Sequence, residues 1–309
     1  MNIFPTDDAE QTAEATVRRY RPIDALIPSH WIEGTVQANG IEQHYYRTGG
    51  AGPPLLLLHG FLEGALTWLQ TARAFEQTYD VILLDARGHG GTGGVAPDLP
   101  QQPLADDVAA VIRALGLGPV RLIGHSRGGY TAILLAATAP ELVQALVVEG
   151  WNDQAVAAPS ASESYQAWFG SYLAWLEQLK PQSHEERMVS ALSQMMPGAP
   201  VPPEAEYVAW VENCARLDLE LVRQSMGLWG QLAEDVDASR AALQRIACPV
   251  LVLKSAFFAP PGAVLHLREE ASEQANIRII HFENTGHLIH RDRPEQYIGV
   301  INEFFAAIS

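Results

Sequence analysis

The chain has 309 residues, 48% hydrophobic and 18% charged, which fits a soluble globular protein: one large α/β domain with an insertion, or two domains. A formal net charge of −16 argues against nucleic acid and anionic membranes as partners, and no apolar run approaches the ~18 residues a membrane span needs. Two distant cysteines, Cys214 and Cys248, offer no disulfide framework, CxxC site or zinc knuckle.

Residues 1–29 carry weak periodicity and no motif, and read as an N-terminal arm. The arm begins with acidic residues (Asp7, Asp8, Glu10, Glu14) rather than the basic-then-apolar order of a secretory signal, so a cytoplasmic location is expected. Next, Gly34–Ala38 and Glu42–Arg47 alternate around Asn39-Gly40, the strongest short hairpin signal. From Pro53 onward, continuous apolar strands alternate with amphipathic helices, as in a parallel sheet covered on both faces. The predicted strands are Pro54–Leu58, Val81–Leu84, Val120–Ile123, Ala145–Val148, Val250–Leu253 and Ile277–Phe282. The predicted helices are Leu66–Gln77, Leu104–Leu115, Arg127–Thr138, Gly262–Ala275 and Pro294–Ile308, the last with Pro in its first turn. Residues 151–237 break the alternation, are helical in period, and hold five of the seven tryptophans. They read as a helical cap over the carboxyl ends of the strands, inserted between core segments 30–150 and 238–309.

Chemistry concentrates at Gly124-His-Ser-Arg-Gly128, between a predicted strand and a predicted helix. Gly-x-Ser-x-Gly at such a junction is a nucleophile elbow: the tight turn strains Ser126 and lifts its hydroxyl clear of the sheet. The following helix aims its first-turn N–H groups and positive dipole end at whatever Ser126 attacks. A serine needs a histidine to take its proton and an acid to orient that histidine. Of ten histidines, His287 in Asn284-Thr-Gly-His-Leu-Ile-His290 follows the last strand, on the same sheet edge as the elbow. His290 is its rival. His125 adjoins the serine, but at a sharp elbow its side chain is expected to point away.

In this order the motifs resemble the α/β-hydrolase superfamily, of the capped esterase-like kind. They are His59-Gly60-Phe61, Asp85-Ala-Arg-Gly-His-Gly90, the elbow, and Gly286-His287 followed by Arg293-Pro294-Glu295. The resemblance implies an oxyanion hole from the backbone N–H groups of Phe61 (or Leu62) and Arg127, and a structural pairing of Asp85 with Arg87. It implies no cofactor. One departure stands out. Relatives commonly place the acid after the penultimate strand, yet no Asp or Glu occurs from Pro249 to Arg268, and Phe258 occupies the expected place. The dehalogenase branch places its acid at the end of the strand after the elbow helix; here that is Glu149, with Asp153 as the alternative. That branch uses Asp as nucleophile, so Ser126 argues against dehalogenation.

Aromatic stripes (Tyr165, Trp168, Phe169, Tyr172; Tyr207, Trp210) fill the cap. Most are expected to pack it onto the body, with Trp151, Trp168, Trp210 and Phe258 lining a hydrophobic pocket for a small neutral molecule. The expectation is a serine hydrolase of a carboxylic ester or related acyl bond. A lyase or cofactor-free oxygenation enzyme using His287 as base, and a receptor-like binder, stay open on the same fold. The sequence is silent on oligomeric state.

Overall fold

The computed structural model describes residues 7–94, 101–151, 159–195, 201–225, 229–256 and 264–308. In chain order the main elements are α1 (Asp7–Val17), β1 (Ile32–Ala38), β2 (Ile41–Arg47), β3 (Pro54–Leu58), α2 (Leu69–Phe75), β4 (Asp80–Leu84), α3 (Gln101–Ala114), β5 (Val120–His125), α4 (Arg127–Thr138) and β6 (Val143–Glu149). Five helices follow: α5 (Pro159–Leu179), α6 (His184–Ala191), α7 (Glu204–Arg216), α8 (Leu219–Ser225) and α9 (Trp229–Leu243). The chain then returns to the sheet with β7 (Val250–Ser255), β8 (His266–Glu270) and β9 (Ile277–Glu283), and ends in α10 (Ile289–Asp292) and α11 (Pro294–Ala307).

The strands form one sheet in the order β1-β2-β4-β3-β5-β6-β7-β9-β8. The six from β4 to β9 in that order run parallel, while the β1–β2 hairpin and β8 pair antiparallel at the two edges. Asn39 and Gly40 both adopt positive φ in the hairpin turn, as the Asn-Gly signal required. Alternate strand residues feed two separate cores. Leu55, Leu57, Val81, Leu83, Ile123, Val147 and Leu251 face α2, α11 and the helical segment. Leu56, Leu58, Ile82, Leu84, Leu122, Val148 and Val252 face α3, α4 and α9. A parallel sheet buried on both faces needs such continuous apolar strands, and each of the six predicted strands lies within an observed one.

Three features differ from expectation. The predicted helix Gly262–Ala275 is replaced, among its described residues, by the edge strand β8, antiparallel to β9. Its charged sequence suits an exposed edge: Arg268 bonds Glu283, and Arg278 bonds Glu269. The arm contains α1 and a 3₁₀ turn at Ile23–Ala25, and it docks on the helical segment. Arg18 pairs with Glu185, Arg21 with Glu204, and Tyr20 donates to the Pro202 carbonyl. The expected cap boundary at 237 falls inside α9, which packs on α4. No helix among the described residues is long and apolar enough to cross a membrane.

Candidate functional site

Ser126 joins β5 to α4 with φ 49° and ψ −116°, a conformation costly for any residue with a Cβ. Two glycines make the turn possible, since a Cβ on Gly124 would overlap the Gly128 carbonyl and one on Gly128 would overlap the Leu58 carbonyl. The second contact presses the start of α4 against the loop after β3, so Phe61 and Arg127 become neighbours. The Arg127 guanidinium lies 5.2 Å above the Phe61 ring. The N–H of Ser126 donates to the Glu149 carbonyl at 2.8 Å, which ties the elbow to the end of β6.

His287 reaches this corner. Gly150, at φ +64°, holds the strand end open for it: a Cβ there would lie 2.9 Å from His287 Cε1 and 3.2 Å from His125 Cδ2. The His125 and His287 ring centroids are 4.8 Å apart. Burial, and then the charge on His125, push the His287 pKa down to about 4, so its imidazole is neutral at neutral pH. A neutral imidazole is the form that can accept a proton.

Glu149 ends β6 fully buried, but its partner is not the expected one. Both carboxylate oxygens lie 2.9 Å from His290 Nδ1, and Oε1 also accepts the His290 backbone N–H at 3.0 Å. The cause is the short helix α10, which turns the ring and N–H of His290 toward β6 and stacks the ring on Trp68 at 4.3 Å. Glu149 therefore holds no hydrogen bond to His287. Burial opposes its ionisation, but the nearby His290 wins and holds the carboxyl below its usual range. Asp153 lies outside the described residues.

A second buried pair had no counterpart in the expectation. His125 turns from Ser126 toward Glu63, with Nδ1 3.1 Å from Oε2, and its Nε2 lies 3.2 Å from the His287 carbonyl oxygen. The only sequence signal was a Glu three residues after His59-Gly60, in an otherwise apolar loop. Asp85 and Arg87 do not pair with each other. Asp85 accepts from Ala65 N–H and Gly91 N–H and lies 2.8 Å from His44 Nδ1, whereas Arg87 makes a two-pronged bond to Asp107.

Among the expected pocket residues, Trp151 is a packing residue. It is 6% exposed and donates its indole N–H to Ser239. Trp168 is 53% exposed and stacks on Tyr172, while Trp210 is partly buried and stacks on Trp175. Phe258 lies outside the described residues. The rings form a continuous series: Phe61 contacts Phe169 at 5.8 Å, and the contacts run on through Trp168, Tyr172, Trp175 and Trp210 to Tyr207. Further contacts place the helical segment at the carboxyl edge of the sheet, where Asp218 N–H donates to the Gly88 carbonyl and Asn213 lies against Gly64.

Known proteins resemble this chain in sequence and in fold. N-formylmaleamate deformylase of Pseudomonas putida is 40% identical over 116 residues, 37% of this chain and 43% of that protein, so the match spans under half of that relative. The sn-1-specific diacylglycerol lipase of Mus musculus is 25% identical over 264 residues, 82% of this chain and 81% of that one. The solved structure of the N-formylmaleamic acid deformylase of Pseudomonas putida superimposes with a TM-score of 0.64 at 19% identity, over 87% of this chain and 100% of that one. The profile of the alpha/beta hydrolase fold family matches residues 53–294, from the start of the parallel sheet into α11. The chain belongs to the alpha/beta hydrolase fold family.

Proposed function

We propose that this protein is a serine hydrolase cleaving a carboxylic ester, or a related acyl bond, of a small and largely apolar molecule. Two observations support the reading: Ser126 sits strained at the elbow with its N–H on the Glu149 carbonyl, and a neutral, partly buried His287 lies against the next residue, Gly150. Ser126 Oγ attacks the acyl carbon as His287 takes the hydroxyl proton. The oxyanion is held at the backbone N–H groups of Phe61 and Arg127, each donor worth about 3 kcal/mol to the transition state. His287 returns the proton to the leaving group, and water, deprotonated by the same imidazole, releases the acyl group.

Because Glu149 is committed to His290, its carboxylate acts on the His287 imidazolium through space. On the sequence, the role of orienting the base then falls to the alternative acid Asp153, four residues on. The Phe61–Phe169 contact beside the elbow favours a flat or apolar acyl group over a charged one. A second reading, hydrolysis of a formamide or amide C–N bond, is favoured by the deformylase relative. The same nucleophile, base and oxyanion donors serve both.

p-Nitrophenyl butyrate and an N-formyl anilide, assayed with the wild-type protein and with Ser126→Ala, test the proposal. Expected is turnover of the ester that falls about 10⁴-fold or more in the variant. Ester turnover that survives Ser126→Ala sinks the serine assignment, and faster turnover of the anilide than of the ester selects the second reading.

A further inference from the structure

His125, immediately before the nucleophile and 2% exposed, faces a hydrogen-bond acceptor on each ring nitrogen. Nδ1 meets the Glu63 carboxylate at 3.1 Å and Nε2 meets the His287 backbone carbonyl at 3.2 Å. Neither partner donates to the ring: a carbonyl only accepts, and Glu63 is held ionised because the burial that opposes its charge is outweighed by the neighbouring His125. A neutral imidazole carries one N–H, so in either tautomer one nitrogen would oppose an acceptor, lone pair to lone pair. Only the doubly protonated ring satisfies both contacts.

We infer that His125 is a buried imidazolium that, with Glu63, acts as a positioning pair holding the base His287 in register with the nucleophile. The inference rests on the serine-hydrolase reading given above. Glu63 extends the strut, because the same Oε2 that faces His125 also accepts the Gly60 N–H at 2.6 Å, one residue before the oxyanion donor Phe61. One charged pair thus links the oxyanion loop, the elbow and the loop carrying the base. The groups facing His125 are Glu63 from the loop after β3, Glu149 at the end of β6, His287 after β9 and His290 in α10, the last with its ring 5.4 Å away. Burial alone would lower the His125 pKa, but the two carboxylates and the carbonyl raise it to about 9. Its positive charge in turn helps keep His287 neutral.

Loss of the Nε2 proton at high pH leaves that nitrogen facing the His287 carbonyl without a donor, and the base loop loses its anchor. The expected alkaline limb of kcat therefore reports a group that never touches substrate. The experiment is a pH profile of kcat and KM for wild type and Glu63→Gln with p-nitrophenyl butyrate. Wild type is expected to decline with an apparent pKa of about 9. In Glu63→Gln the limb moves down by about two pH units, so kcat at pH 8 falls about tenfold, with KM little changed. Activity in the variant returns toward wild type near pH 6, where His125 is protonated again. A limb that stays in place, or a loss that is equal at every pH, overturns the inference.

Should Glu63→Gln fail to fold, ¹⁵N-histidine NMR of the wild-type protein at pH 7.5 reads the same point. Two protonated ring nitrogens on His125 support the inference, and a neutral tautomer overturns it. Labelling of wild type and Ser126→Ala by a fluorophosphonate is scored in parallel. An unlabelled wild-type serine removes the hydrolase reading, and the positioning role with it, whatever the protonation of His125.

Discussion

The carboxyl edge of the sheet and the helical segment that covers it handle charge in different ways. The edge buries ionisable groups in pairs: Glu149 with His290, Glu63 with His125, and Asp85 with His44. The helices between β6 and β7 bury mostly rings (Phe169, Tyr172, Trp175, Tyr207), set the buried Glu212 between the partly exposed His184 and Arg187, and keep ion pairs such as Arg223–Glu177 at the exposed rim. Rim pairs of that kind are worth about 0–1 kcal/mol, whereas each ion taken out of water costs several kcal/mol before its partner repays it. Under the proposed hydrolase function, an expensive arrangement at one edge and a cheaper one above it would divide the labour: the edge would set rate, and the helices which molecule fits.

The sharpest way to break that division is at Gly150. Alanine there combines an unfavourable positive φ with a Cβ driven into the His287 ring, so kcat is expected to fall about 10²-fold with KM little changed. A KM effect larger than the kcat effect would mean that the edge governs binding as well. Next comes Glu149→Gln, which removes the charge from a fully buried pair with His290. Urea unfolding should report a loss of about 2 kcal/mol. Turnover should fall less than for Asp153→Asn; the reverse order would return the orienting role to Glu149.

A pH series comes third. Burial lowers the pKa of His59, takes His89 to about 3 and, with His125, takes His287 to about 4, all from an unfolded value near 6.5. The unfolded chain therefore binds more protons than the folded one below pH 6.5, and stability falls as pH drops from there toward 4. His44 and His125 have the opposite sign: burial alone would lower both, but their carboxylate partners raise them, His125 to about 9. Their contribution is complete below pH 6.5 and is lost as pH climbs through the raised values. Thermal midpoints at pH 5, 7 and 10 should peak at 7, and a midpoint still rising at pH 10 would contradict the protonated His125. The smallest effect is expected at Trp168. Half-exposed and stacked on Tyr172, its replacement by alanine should change KM about two- to threefold and leave the midpoint alone.

The parallel strands, α4 and the elbow were legible because each is written locally, as an apolar run or a glycine spacing that only one geometry accepts. The placement of Ser126 at the β5–α4 turn and of His287 on the loop after β9 also followed from the order of strands. The pairings were not legible. Glu149 lies 141 residues from His290, and Glu63 lies 62 from His125. Which of two histidines on one loop meets the strand end depends on the four-residue helix α10, too short to leave a periodic signature. β8 failed for a related reason. His266-Leu-Arg-Glu-Glu270 has the charge content of a helix surface, and only the adjacent β9 makes it a strand. α1 escaped notice because its partners lie in the helical segment, far along the sequence.

That docking of the arm has a consequence for synthesis. Arg18 and Arg21 leave the ribosome 167 and 183 residues ahead of their partners Glu185 and Glu204. At common translation speeds that is a wait of roughly ten to forty seconds. The arm must thus wait for helices made well after it, and a substitution at Arg18 or Arg21 would bear on a late step of maturation rather than on assembly of the sheet.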